Sequence, residues 1–351
     1  MSVTSPCYCT REAVMTALDI HPAQREISLI DSAIQGATGD VYGIIHRRFL
    51  PHDTTKYFDW PNEQLAYPWR IWFDQHDLVS ATAVTSVGVS IPLANVFFEP
   101  VNKQPDEPYT RMELNRATSS VFGGGTTPQR VVGVTGTWSY NAKTAPAGAL
   151  AASVADTTGT TVTVTDSSQL GVGDLLVIDS ERMVVADRAM ASTGVTFTGL
   201  SAIAADNLIA VPDVTAFGLG EVLMADAERL YITDKTATSL VVKRAWQGTA
   251  LAEHTSGTIY AARSLAVLRG ANGTTAATHA SAAAVSRYVV PSLITELAIA
   301  LAENSLLQKT SGYARSIGAG DNLRPAPGMG LADVTARACA RYGRKARTRV
   351  I

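Results

Sequence analysis

Cysteine is scarce in this chain: three among 351 residues, Cys7, Cys9 and Cys339. A Cys-x-Cys pair bridges with difficulty and a lone third thiol closes nothing. That excludes a disulfide framework and points to reduced, buried or half-buried thiols at positions 7 and 9. Charge is thin as well, at 17% of residues with a formal net of −2, so there is no electrostatic case for whole-protein binding to nucleic acid or to an anionic membrane. Long hydrophobic runs are missing. The most apolar stretch, VVPSLITELAIALA, is broken by Glu296 and is too short to span a bilayer. No basic-then-apolar leader opens the sequence, so no signal peptide is expected and the chain reads as a soluble protein made in the cytosol.

The motifs that announce common chemistries are absent too. There is no P-loop, no GxSxG, no HExxH and no CxxC, and the expectation is a protein that is not an enzyme and holds no cofactor or metal. What remains is about half apolar, low in aromatics and rich in Ala, Thr, Val and Gly, a β-leaning globular composition long enough for two or three cores.

The chain repeats itself out of order. DSSQLGVGDLLVIDSERMVVAD, from Asp166, matches DVTAFGLGEVLMADAERLYITD, from Asp213, 47 residues on. RAWQGTALAEH, from Arg244, matches RGANGTTAATH, from Arg269, only 25 residues on. The order is front, front, back, back. Joining the second front to the nearer back makes an inner unit, 205–263, nested within an outer unit made of 158–187 and 264–289; the other pairing would cross connections, which folded chains avoid. Each unit reads as antiparallel β, a small barrel or sandwich. TTVTVTD and NLIAVPD are short strands, and a hairpin turns at Asp-Ser-Glu-Arg. Gln247-Gly248 and Asn272-Gly273 are hairpin-turn signals.

Around this insert (149–289) lies a different body. TREAVMTALDI reads as a helix capped by Thr10. A second helix runs from about Gln24 to Arg48 with an apolar stripe of Ile27, Ile30, Ile34, Ala37, Val41 and Ile44. Gly36, Gly39 and Gly43 lie off the stripe, where they would admit close neighbours. From Thr54 to Tyr140 the pattern turns to strands: TKYFDW, RIWFDQ, ATAVTSVGV, ANVFFEPV, YTRMEL and VVGVTGTWSY. After the insert, Pro291 opens a helix with Leu293, Ile294, Leu297 and Leu301 on its apolar face. The fold class expected is α+β: a helical and β body (1–148 and 290–351) carrying an inserted all-β module of two nested units.

Two helices ending in IIHRRFLP, then KYFDW, VTGTWSY, and a late helix ending in TSGYAR resemble the head-to-tail adaptor, or connector, proteins of long-tailed bacteriophages. The FxxGEVLxxDxER…RxxxGTxxxxH pattern of the insert is similar to a β module that recurs in phage head and tail proteins. The resemblance implies a structural virion protein, assembled in the host cytoplasm. It would form a cyclic ring, twelvefold, docked on the portal protein at the neck. The ring would contact the next neck or tail protein and extend a channel through which genomic DNA passes without specific binding, with no membrane partner. The alternative is a capsid or tail decoration protein, or a carbohydrate-binding one, using the inserted β module.

Several polar groups invite a functional reading beside a structural one. His254 and His279 recur at one repeat position without a second ligand nearby, which favours a packing role over metal binding. Asp74, His76 and Asp77 read as a turn capped by aspartate. The recurrent Asp179/Glu181/Arg182 and Asp226/Glu228/Arg229 sets read as local ion pairs or turn bonds. His46-Arg47-Arg48 ends a helix, where cations complement the dipole. The basic tail is the candidate partner-docking segment: Arg337, Arg341, Arg344, Lys345, Arg347 and Arg349 follow the last acidic residue, Asp333. Portal docking, with TRVI adding a strand, is the expectation; contact with DNA is the competitor.

Overall fold

The computed structural model describes residues 3–18, 24–61, 67–310, 316–317, 324–325 and 329–344. Among them the fold is α+β and mostly β, with antiparallel sheets and four helices: α1 (Arg11–Leu18), α2 (Gln24–Ile45), α3 (Ser292–Thr310) and α4 (Met329–Tyr342). None of these helices is long and apolar enough to cross a membrane.

The chain divides into two compact units. The first comprises Met1–Asp40, Thr144–Tyr288 and Ile294–Ala332; the second comprises Val41–Lys143, Val289–Leu293 and Asp333–Ile351. The N-terminal segment therefore groups with the repeat-bearing strands. The reason is local: the Cys7 amide donates to the Gly173 carbonyl (2.8 Å), the Arg11 amide to Val172 (3.0 Å), and the Glu12 carboxylate accepts from the Val172 amide (2.8 Å). Thr10 caps α1 as expected, its hydroxyl accepting from the Ala13 amide at 3.2 Å. Arg11 then grips buried Asp31 through two bonds of 2.7 and 2.9 Å and reaches Asp187 at 2.8 Å.

On α2 the buried stripe is Ile30, Ala33, Ile34, Ala37, Val41 and Ile45, so its lower end lies on Ile45 rather than Ile44. The 3.6-residue period drifts off a strict 3-4-3-4-3 spacing over a helix this long. The off-stripe glycines do not serve close packing: a Cβ at Gly36, Gly39 or Gly43 would meet nothing within 4 Å. On α3 the buried line is Ile294, Leu297, Ala298 and Ala302, while Leu293 and Leu301 are only half-buried.

In the first unit the strands β8 (Thr144–Ala149), β9 (Thr161–Thr163), β10 (Leu175–Ile178), β11 (Glu181–Leu200), β12 (Leu208–Ala210), β13 (Val222–Ala225), β14 (Glu228–Lys235), β15 (Ser239–Lys243), β16 (His254–Leu268) and β17 (Ala284–Tyr288) share one sheet. Its order is β12-β15-β14-β13-β16-β11-β10-β17-β8, with β9 on β16. Each of the two nested units was expected as a small barrel or sandwich of its own. Instead, the long strands β11 and β16 pair along Val184–Leu200 and His254–Leu268, through three register shifts, and join everything into a continuous path. Bulges of this kind let long strands bend without ending. One core, including Phe197, Ile209, Phe217, Leu223, Leu230, Ile232 and Leu240, lies along the strands from β11 to β16.

The second unit holds β1 (His52–Phe58), β2 (Arg70–Trp72), β3 (Leu78–Ser86), β4 (Val89–Ile91), β5 (Val96–Glu99), β6 (Arg111–Leu114) and β7 (Val132–Trp138). One sheet runs β1-β7-β3-β4 and another β2-β6-β5. The stretch ATAVTSVGV, expected as one strand, is a hairpin. Val87 and Gly88 take φ of 51° and 77°, the left-handed pair that a two-residue turn demands. Ile71, Phe73, Leu78, Val84, Met112, Val132, Val134 and Trp138 form the shared core.

Candidate functional site

Two polar cradles in the first unit are built from the repeated residues. In one, the Glu228 carboxylate accepts from Arg244 Nε and Nη2 (2.8 Å each), from the amides of Ala245 (2.8 Å) and Ala252 (3.2 Å), and meets His254 Nε2 at 2.9 Å. His254 Nδ1 lies 2.7 Å from Asp226. In the other, Glu181 accepts from Arg269 Nε (2.7 Å) and Nη2 (2.8 Å), from the amides of Gly270 and Ala277 (2.9 Å each), and meets His279 Nε2 at 2.9 Å, while His279 Nδ1 lies 2.7 Å from Asp179. Even the supporting threonines agree: Thr249 Oγ1 takes the Arg229 amide and Thr274 Oγ1 the Arg182 amide, each at 3.0 Å.

These contacts take the place of the local ion pairs or turn bonds expected from the sequence. Adjacent residues on a strand face opposite sides, so Glu181 cannot share a face with Arg182. The carboxylate pairs with Arg269 instead, and Arg182 turns to the Tyr288 hydroxyl (3.1 Å) and the Asn272 carbonyl (3.2 Å). The Gln-Gly and Asn-Gly steps are tight left-handed turns, with φ of 55° and 75° at Gln247 and Gly248 and of 51° and 84° at Asn272 and Gly273. They are not hairpin turns, because β15 and β17 do not pair with β16. Each turn wraps a loop whose amides point at a buried carboxylate. Burial alone would raise these acids, but in each the arginine, the histidine and two backbone amides outweigh it and hold Glu181 and Glu228 down at about 2.

A third acid, Glu221, is tied to Arg263 at 2.7 and 2.9 Å and also takes the Ser167 amide (3.1 Å) and hydroxyl (2.9 Å). At the matching repeat position Asp174 accepts from the Gly171 amide, at 2.8 Å, and burial pushes its carboxyl up to about 6. Burial likewise pushes the Cys7 thiol up to about 12, and that of Cys9 upward. Of the rings in the repeats, Phe197 and Phe217 are core. Tyr231 stacks on Trp246 with centroids 4.4 Å apart, and Tyr260 is exposed.

In the second unit the cluster FDQHDL does more than cap a turn. Asp77 is 5% exposed and is clasped by Arg47 on Oδ1 (2.9 Å) and by Arg344 on Oδ2 (2.7 Å). Arg344 also donates to the carbonyls of His46 (3.2 Å), Asp74 (2.6 Å) and Gln75 (2.9 Å). Of the basic tail, Arg344 is therefore engaged within its own unit, and Arg337 lies 3.3 Å from Asp333 on α4. Arg341 is exposed, with its guanidinium 5.3 Å from the ring of buried Tyr342. Lys345, Arg347 and Arg349 lie outside the described residues. Two clefts flank Arg344. One, of ≈ 510 Å³, is lined by Trp72, Glu107, Tyr140 and Arg341 among others; the smaller, of ≈ 150 Å³, by Arg48, Lys56, His76 and Trp138 among others.

The sequence displayed the recurrence of His254 and His279 but not the carboxylates they serve. It gave no sign of the Asp77–Arg344 contact, whose partners stand 267 residues apart. Comparison with known proteins finds no matching family model, no matching curated protein and no matching solved structure.

Proposed function

We propose that this chain is a structural virion protein that assembles into a ring under the portal and joins the DNA-filled head to the tail. The reading rests on the resemblance of its body to phage head-to-tail adaptors. One observation carries it: the second unit presents exposed apolar residues on and beside the outermost strands of both its sheets. Val89 on β4 and Phe97 on β5 are 70% and 51% exposed, and Val87 and Val101 lie exposed next to them. Edge strands with uncovered apolar side chains invite pairing with another chain, and proteins that stay monomeric blunt them with charge. A second copy of this chain is the occupant that a closed cyclic ring supplies.

The first unit is read as two nested copies of one β unit, 205–263 within 158–187 plus 264–289. The support is the equality of the two cradles, in which Glu228 meets Arg244 and His254 while Glu181 reaches past the intervening copy to Arg269 and His279. In both, the buried acid, base and cation bind backbone and one another, which suits scaffolding rather than turnover. The basic end of the chain, from Arg337 onward, is the proposed contact to the portal.

The test is a cryo-EM reconstruction of the virion neck without imposed symmetry. A ring of this chain directly under the portal, lost when Val89→Lys and Phe97→Glu are combined, is the expected result. Density on the capsid lattice or along the tail shaft would overturn the adaptor reading in favour of a decoration protein.

A further inference from the structure

The smaller cleft of the second unit gathers four basic side chains, of which Arg344 is already bound to Asp77. Arg48 comes from the segment after α2, Lys56 from β1, His76 from the turn before β3, and Arg344 from the chain after α4. Tyr42 and Trp138 form aromatic walls: the Arg48 guanidinium lies 4.9 Å from the Tyr42 ring and the Lys56 ammonium 5.6 Å from that of Trp138. The one carboxylate in the cleft, Asp77, is already spent, with one oxygen on Arg47 and the other on Arg344. Among the described residues neither Arg48 nor Lys56 has a carboxylate within ion-pair distance.

Cations gathered without a counter-ion raise one another's cost of ionisation. Burial, then Lys56, Arg344 and Arg48, depress His76 to about 4, and burial and Arg48 together lower Lys56. His76 is otherwise faced by the rings of Phe58 and Trp138 and by its neighbours Gln75 and Asp77. Arg47, Arg244, Arg263 and Arg269, buried or half-buried, are each paired with an acid, whereas exposed Arg48 and half-buried Lys56 lie beside aromatic rings. What the cleft lacks is an anion of about its own size. Its ≈ 150 Å³ is small beside the ~300–1,000 Å³ of pockets for organic ligands, but ample for a tetrahedral oxyanion. Arginine and lysine together favour phosphate over a carboxylate, since they can engage several oxygens at once.

We propose that Arg48, Lys56 and His76 form a binding site for a phosphate oxyanion. The group is either free inorganic phosphate or a phosphodiester of the nucleic-acid backbone. The site stands independently of the ring reading.

The experiment is calorimetric titration of the full-length chain with inorganic phosphate at constant ionic strength, with acetate as control and a short DNA duplex as a second probe. Saturable phosphate binding is expected, weakened roughly tenfold or more by Lys56→Gln and by Arg48→Gln, with acetate inert. In the wild type, phosphate should also move the ring resonances of His76 toward those of imidazolium. Because neither cation has an acidic partner, each variant should lose only its ring contact and melt close to the wild type without phosphate, whereas phosphate should raise the melting temperature of the wild type more than that of either variant. Duplex binding that phosphate displaces and Lys56→Gln removes assigns the phosphodiester as source; phosphate binding without duplex binding assigns the free ion. No saturable phosphate binding by the wild type, equal binding of acetate, or binding untouched by both substitutions would overturn the site.

Discussion

Replacing Arg244 by Met keeps most of the aliphatic stem and removes the guanidinium. Glu228, with no exposed surface, then keeps its charge with two amides and His254 as its only donors. The carbonyls of Ser201 and Asp206 lose their Arg244 bonds of 3.1 and 2.9 Å, and that of Ala252 loses one of 2.7 Å. Breaking a buried pair from one side costs ~3–5 kcal/mol. The remaining donors place this case near the lower end, at about 3 kcal/mol, a large share of the ~5–15 kcal/mol that stabilises a domain. Arg269→Met should cost the same within ~1 kcal/mol, since Glu181 keeps the same set of donors. The cradles share no residue, so the two losses should add. Adding Glu228→Gln to Arg244→Met should cost at least ~1 kcal/mol less than the sum of the single changes, because it removes the orphaned charge. Urea unfolding followed by circular dichroism gives the energies, and hydrogen exchange at the Ala245 and Ala252 amides gives the local opening. A loss under ~1 kcal/mol for Arg244→Met, with those amides still protected, would refute the view that the cradle holds its loop.

The same acids govern acid stability. With Glu181 and Glu228 at about 2 in the fold against 4.5 ordinarily, their contribution is full above about 4.5 and is lost as pH falls toward 2. A pH titration of the melting temperature should therefore decline over that window, and more shallowly with both glutamates changed to Gln. Asp174 has the opposite sign. Its folded form holds a proton up to about 6, so stability falls as pH rises from 3.8 through 6. Asp174→Asn, which can still accept the Gly171 amide, should raise stability at pH 7 by up to about 3 kcal/mol and leave pH 3 unchanged. At pH 8 an alkylating reagent should leave Cys7 and Cys9 untouched in the folded protein and modify both in urea, because burial raises each thiol. Mass spectrometry of the peptides reads the outcome directly, and rapid modification of Cys7 in the native state would contradict its burial.

What the sequence disclosed, it disclosed through periodicity. Ile30, Ile34, Ala37 and Val41 recur at helical spacing and are buried on α2, and most of the strands from β1 to β7 were legible as alternating runs between Pro- and Asn-rich breaks. Thr10 advertised its cap because a cap is a contact over three residues. The pairing of Glu181 with Arg269 spans 88 residues and that of Arg344 with Asp77 spans 267. No local pattern reports contacts at such range, and only repetition hinted at the first. Adjacent opposite charges at Glu181-Arg182 suggested a bond that strand geometry forbids. The meeting of Arg48, Lys56 and His76 at the small cleft was equally hidden, since each comes from a different element.

The matching glycines show how a repeated position acquires a new neighbour without changing its backbone requirement. A Cβ at Gly171 would lie 2.6 Å from Thr10 Cβ, and one at Gly218 would lie 2.3 Å from Ser168 Oγ. Each Gly-x-Gly turn is thus a ledge on which an earlier piece of chain rests: residues 10–12 on the first turn, 166–168 on the second. The second ledge is fastened by Glu221, whose carboxylate takes the Ser167 amide and hydroxyl while Arg263 neutralises it. At the first ledge Glu12 reaches in from α1 to accept the Val172 amide. With that carboxylate supplied from outside, a second full-length acid at position 174 would add like charge to a dry site. Among the described residues the shorter Asp174 has no arginine clasp like that of Glu221; it keeps its internal bond to Gly171 and stays mostly neutral below about 6. The repeat kept the turn, which backbone sterics enforce, and let the charge follow whichever segment came to rest on it.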